Sequence, residues 1–157
     1  MKKFTRKSKI IIFIVLCPVF LSFSANGPAD EEAGFVQEML NTHYAILPDA
    51  PALKKYELQV SGTGFCRYKK YYQNGKQEYF SFHFLKYKAA DYVGSSTNGI
   101  LYLHTLNDDV IVQTYREKRG GDIDSMATSL AIPLKNMEPE DLELLQEKFR
   151  QLQAKLR

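Results

Sequence analysis

The sequence predicts an α+β fold: an antiparallel β-meander of five to six strands, built as a sandwich, a roll or one curved sheet. A helix precedes the meander and an amphipathic capping helix follows it. Three observations carry this prediction. Apolar residues recur at helical spacing over residues 30–44, and from Tyr56 to Leu134 the hydrophobic period switches to two. After Pro139 a stripe of leucines and one phenylalanine returns at three-four spacing.

Residues 1–24 read as a leader. "MKKFTRKSK" is basic without an acid, and Ile10 to Phe23 carries no charge. That apolar run falls short of the roughly 20 residues a bilayer span needs. Ser22 and Ser24 supply small residues at −3 and −1 of a cut after Ser24. Lipid attachment at Cys17 is the lesser choice, because Leu16 fills the place where lipoprotein processing wants a small residue. The expected location is therefore outside the cytoplasm, periplasmic or secreted. The whole chain has 21 basic and 18 acidic residues. Five of the basic ones leave with the leader, so the remainder turns slightly negative and no global charge argues for nucleic acid. Only Cys66 then remains, which rules out an internal disulfide in the processed chain.

The organisation that follows is a signal peptide over 1–24, an N-terminal helix and loop over 25–52, and an antiparallel β domain with its C-terminal helix over 53–157. Residues 30–157 form one globular domain. In the first helix Phe35, Val36, Met39, Leu40, His43 and Tyr44 make one apolar face, and "LPDAPA" ends it with two prolines. Tyr56, Leu58 and Val60 alternate with polar residues, as do Phe80, Phe82 and Phe84, then Leu101 and Leu103. "DDVIVQTY" is a β-branched run, and Met126, Thr128, Leu130 and Ile132 alternate with small residues as one further strand. "STNG", "LNDD" and "KRGGD" have turn compositions. Pro139 suits the first position of the last helix, whose stripe is Leu142, Leu145, Phe149, Leu152 and Leu156. Acids crowd its start and bases its end, complementing the helix dipole.

The stretch Phe65–Phe84, "FCRYKKYYQNGKQEYFSFHF", combines basic and aromatic residues around Asn74-Gly75, a strong hairpin signal. A two-residue loop would set Phe80 and Phe82 on one face with Arg67 and Lys69. A three-residue loop with Gly75 left-handed pairs Tyr72 with Lys76, which gathers Cys66, Tyr68, Phe80, Phe82 and Phe84 on one face. A buried face fixes register, so the second pairing is expected and Cys66 goes inside. The opposite face then carries Arg67, Lys69, Tyr71, Tyr79 and His83, with Lys76 at the turn. These six are the candidate ligand-binding residues. A cationic, aromatic face suits an anionic lipid, an acidic glycan or a protein partner. It also suits the wet side of any sheet, where lysine deters edge-to-edge pairing.

Chemistry-bearing motifs are sparse. The sequence lacks a nucleophile elbow, a phosphate loop, a dinucleotide fingerprint and a zinc-protease helix. Strand parity takes His83 and His104 off the apolar face, so they can meet across neighbouring strands as a general-base or metal pair. "GGDIDS" (120–125) holds Asp122, Asp124 and Ser125 as half of a calcium loop, without the later carboxylates. A polar hairpin turn accounts for it. No cofactor and no metal are expected.

The order of elements, together with the stripe Leu142, Leu145, Phe149, Leu152 and Leu156, resembles a pleckstrin-homology-like roll over about Tyr56 to Arg157. That resemblance implies lipid or peptide binding, with Lys69, Lys70 and Lys76 around the first hairpin turn as headgroup contacts. The function expected from all of this is an exported, non-catalytic binding or interaction module of the cell envelope. The alternatives are a small hydrolase-like enzyme with a site around His83 and His104, and a structural subunit that assembles through its C-terminal helix.

Overall fold

The computed structural model describes residue 27 and residues 29–46, 52–117 and 121–157. The expected leader over 1–24, most of the expected proline loop and residues 118–120 of the expected turn lie outside the described residues. Among the described residues there are eight antiparallel strands: β1 (Leu53–Val60), β2 (Phe65–Tyr72), β3 (Gln77–His83), β4 (Tyr87–Gly94), β5 (Asn98–Thr105), β6 (Val110–Glu117), β7 (Gly121–Ala127) and β8 (Ser129–Lys135). They form a five-stranded sheet in the order β1-β2-β3-β6-β7 and a three-stranded sheet in the order β4-β5-β8.

The two sheets are the halves of a single bent meander. β3 runs into β4 through a 3₁₀ turn at Phe84–Lys86, β5 into β6 through four residues, and β7 into β8 through Thr128. β4 pairs with β5 where β3 pairs with β6, and β5 pairs with β8 where β6 pairs with β7. Taken as long strands there are five, β1, β2, β3/β4, β5/β6 and β7/β8, each beside its predecessor. The predicted strand Met126–Ile132 is broken by this bend. Leu130 and Ile132 are buried, whereas Met126 is exposed on the other sheet. Thr128 is the pivot, its carbonyl accepting from both the N–H and the hydroxyl of Thr105. The segment expected as a polar turn at Asp122–Ser125 is likewise strand, within β7.

The β2–β3 hairpin has the three-residue register. Tyr68 faces Phe80 and Cys66 faces Phe82. The Tyr72 N–H donates to the Lys76 carbonyl, and the Gly75 N–H donates to the Tyr72 carbonyl. Gly75 has φ +88°, a conformation that disfavours any side chain. Cys66 is fully buried, and burial pushes its thiol up to about 12.

The concave side of the bend holds both helices, α1 (Asp30–His43) and α2 (Pro139–Lys155). Leu145, Phe149 and Leu152 of the predicted stripe are buried, and Leu142 and Leu156 pack against the same core. Phe149 stacks on Phe84 at the bend, 5.6 Å between ring centroids, and also meets Tyr87 at 5.5 Å. From α1, Val36 and Leu40 reach the core. Tyr44, just past α1, stacks on Tyr56 and shares a 2.6 Å hydrogen bond with the Tyr68 hydroxyl.

The helices also seal sheet edges with amide side chains. Gln37 of α1 lies against β1, its Nε2 donating to the Leu58 carbonyl and its Oε1 accepting from the Val60 N–H. Gln153 of α2 donates to the Tyr87 carbonyl and Gln146 to the Ala90 carbonyl along β4. β8 receives a short bridge from Tyr44 and a bond from the Ala45 N–H. Among the described residues, no strand and no hydrogen-bonding side chain lines the outer edge of β7.

Candidate functional site

With both helices on the concave side, no described helix covers the outer face of the five-stranded sheet. Register decides what stands on it. One rung crosses the sheet as Glu57, Lys69, Tyr79, Gln113 and Asp124, and the next as Lys55, Tyr71, Gln77 and Tyr115. Arg67 precedes Lys69 on β2, opposite Ser81. A cleft of about 330 Å³ opens here, lined by Arg67, Lys69, Tyr71, Tyr79, Gln113 and Tyr115 among others. The alternation that buries Cys66 and Tyr68 is the same one that turns Arg67, Lys69 and Tyr71 outward.

The electrostatics of the cleft are uneven. The Lys69 ammonium stands 5.4 Å from the centre of the Tyr79 ring, and the Arg67 guanidinium 4.7 Å from that of Phe65. A ring's negative face attracts a cation without neutralising it. Among the described residues no carboxylate lies within ion-pair distance of Arg67 or Lys69. Lys55, at the edge, is held by Glu57 at 2.6 Å.

Four of the six residues expected at a binding face, Arg67, Lys69, Tyr71 and Tyr79, are thus brought together. The other two are placed elsewhere. Lys76 turns toward the concave side, 3.0 Å from Glu78 and over the Tyr72 ring. His83 is engaged through both ring nitrogens, Nε2 at 2.9 Å from the Thr63 carbonyl and Nδ1 accepting from the Leu85 N–H. Its ring also packs beside Gly64, where φ is +87° and an added Cβ would lie 2.9 Å from the imidazole. His83 thereby fixes the β1–β2 loop to the start of the bend.

Lys70 and Glu78 border the cleft, but their charged ends point to the concave side. The Lys70 ammonium sits about 5 Å above the Tyr68 and Phe80 rings and 3.9 Å from Glu78. Burial lowers its pKa. Burial pushes the Glu78 carboxyl up, yet hydrogen bonds from Tyr72 and Lys76 and the charge of Lys70 outweigh it, and the net shift is downward. Hydrogen bonding from Tyr72 at 2.6 Å completes this group.

The pairing of His83 with His104 is corrected by the topology. His83 ends β3 in one sheet and His104 lies on β5 in the other, on strands that are not neighbours. His104 instead meets Asp91 of β4 at 2.9 Å, beside a second cleft of about 360 Å³ that Lys88, Thr105 and Thr128 help to line. Asp122 and Asp124 do not converge on a cation site: Asp122 accepts from the Arg116 N–H and Asp124 from Gln113. Among the described residues no three acids, histidines or cysteines gather as a metal site, and no helix is long and apolar enough to cross a membrane.

Sequence reasoning missed Gln77, Gln113 and Tyr115 at the cleft. Gln113 and Tyr115 come from β6, which reaches β3 only after the chain has passed through the other sheet. Comparison with protein-family models, curated proteins and solved structures finds no match.

Proposed function

We propose that the protein is an exported, non-catalytic binding module, and that the outer face of its five-stranded sheet holds an anionic ligand. One observation carries this reading. Arg67 and Lys69 project side by side into a tyrosine- and glutamine-lined cleft, each over a ring and beyond ion-pair distance of any described carboxylate. Two cations spaced along one strand without a close ion pair attract an anion that supplies one, although Glu57 across from Lys69 already feels its charge. The pleckstrin-homology-like resemblance would set the contacts at the turn, on Lys69, Lys70 and Lys76. Only Lys69 of these belongs to the outer face, so the proposal moves the site from the turn onto the sheet.

The test is binding of the processed chain to soluble polyanions and anionic vesicles at low salt, compared with the Arg67→Gln/Lys69→Gln double variant. Exposed charge changes shift stability by no more than about 0.5 kcal/mol, so the variant stays folded. It is expected to lose binding, and the parent's affinity to fall as salt rises. A parent that binds no polyanion at low salt overturns the proposal. Export is checked separately by the intact mass of the protein recovered outside the cytoplasm, which should begin at Ala25.

A further inference from the structure

The lateral charge profile of the outer face narrows the class of ligand. Crossing the sheet from β1 to β7, the rung at Lys69 reads acid, cation, tyrosine, amide, acid: Glu57, Lys69, Tyr79, Gln113, Asp124. Adjacent strands lie about 4.8 Å apart, so the strip between the two acids is only about 10 Å wide from β2 to β6. A planar anionic surface such as a bilayer would press its charge against Asp124, and against Glu57 with its Lys55 partner, together with Lys69. A narrow chain escapes both if it runs along β3, parallel to the strands.

The walls and floor of that strip differ in chemistry. β2 supplies the cations Arg67 and Lys69, β3 supplies Tyr79 and Gln77, and β6 supplies Gln113 and Tyr115. Successive outward residues on one strand are about 7 Å apart, so the cations repeat along the direction in which a chain would lie. Side-chain amides both donate and accept hydrogen bonds, which matches hydroxyl groups. Tyrosine rings offer a flat, electron-rich face to weakly polar C–H groups, with a polar hydroxyl at the rim. A single ligand class presents acidic groups, hydroxyls and flat C–H faces in repeat along a narrow chain. Resting on the reading of this face as an anion site, we infer that the ligand is an acidic polysaccharide, bound along β3 with its acid groups toward β2.

The test measures binding of the full processed chain to polygalacturonate, dextran, polyglutamate and phosphatidylglycerol vesicles, with circular dichroism confirming that each variant is folded. Polygalacturonate is expected to bind at least about ten-fold more tightly than dextran or polyglutamate. Tyr79→Ala should weaken that binding about three- to ten-fold, and Tyr79→Phe should retain most of it, because the stacking face survives. Gln113→Ala should weaken it by a similar factor. If polyglutamate or vesicles bind as tightly as polygalacturonate and Tyr79→Ala changes nothing, the saccharide inference fails while the anion site stands. If no polyanion binds, or binding survives in Arg67→Gln/Lys69→Gln, both fall.

Discussion

Lys155, in the last turn of α2, donates a 2.6 Å hydrogen bond to the carboxylate of Glu32, in the first turn of α1. The pair joins the positive end of one helix to the negative end of the other, so each charge also suits the dipole beneath it. The Glu32 side chain is almost wholly covered, and its second oxygen has no hydrogen-bond partner among the described residues.

That contact predicts a pH dependence. The hydrogen bond from Lys155 holds the Glu32 carboxyl below its ordinary 4.5, against an opposing push from burial. A carboxyl lowered in the folded state stabilises it fully above the unfolded value, and that contribution is lost as pH falls through the folded one. Thermal unfolding of the parent and Glu32→Gln should show a gap that is constant above about pH 5 and closes in more acid solution. A gap of the same size at about pH 3 would show that the ion pair does not link the helices as described.

Phe149 is the centre of the lid. Its ring is fully buried against Phe84 and Tyr87 at the bend, so Phe149→Ala should cost about 3–5 kcal/mol in urea unfolding. Removing residues 138–157 should leave the concave side open and the protein prone to aggregate. A soluble, cooperatively folding truncation would reject the lid.

Cys66 should be inert in the native protein. With a fully buried thiol titrating near 12, it should react with a thiol reagent only as fast as the protein opens, and quickly in denaturant. Prompt native labelling would contradict the hairpin register, since a one-residue slip moves every side chain to the other face.

Gly75 should be sensitive for backbone reasons alone. No atom lies within 4 Å of a Cβ placed there, yet its φ of +88° penalises one. Gly75→Ala should therefore cost about 1–2 kcal/mol without any steric clash. Gly75→Asn should cost less, because asparagine tolerates the left-handed region better. Equal losses for the two variants would point to contact and not conformation.

Local signals in the sequence were enough for the helices, the hairpin turn and the burial of Cys66. Each depends on residues a few positions apart, such as the stripe through Phe149 or Asn74-Gly75 between Tyr72 and Lys76. The antiparallel meander was also legible, but five to six strands were expected where the described residues form eight, and β4 went unread. The bends were not legible, because alternation continues through a strand that changes sheets: Met126 and Leu130 keep the period across Thr128 while facing different surroundings. The same non-local pairing hid half of the cleft. Arg67, Lys69 and Tyr79 belong to one hairpin and could be grouped by parity, but Gln113 and Tyr115 reach them through the β3–β6 register, which no nearby turn dictates. His83 and His104 were misjudged as a pair for the same reason.

The amide of Gln37 sets a limit on how the sheet can grow. By occupying the Leu58 carbonyl and the Val60 N–H, it fills hydrogen-bonding positions a neighbouring strand would need on β1, and Lys54 and Lys55 burden the rest of that edge with charge. Among the described residues nothing pairs with the outer edge of β7. In polymer terms the five-stranded sheet has a valence of one. Edge-to-edge addition at β7 can join two sheets, but the product has no second end from which to continue. A sheet with two open edges can propagate into fibres; one with a single open edge can extend no further than a pair.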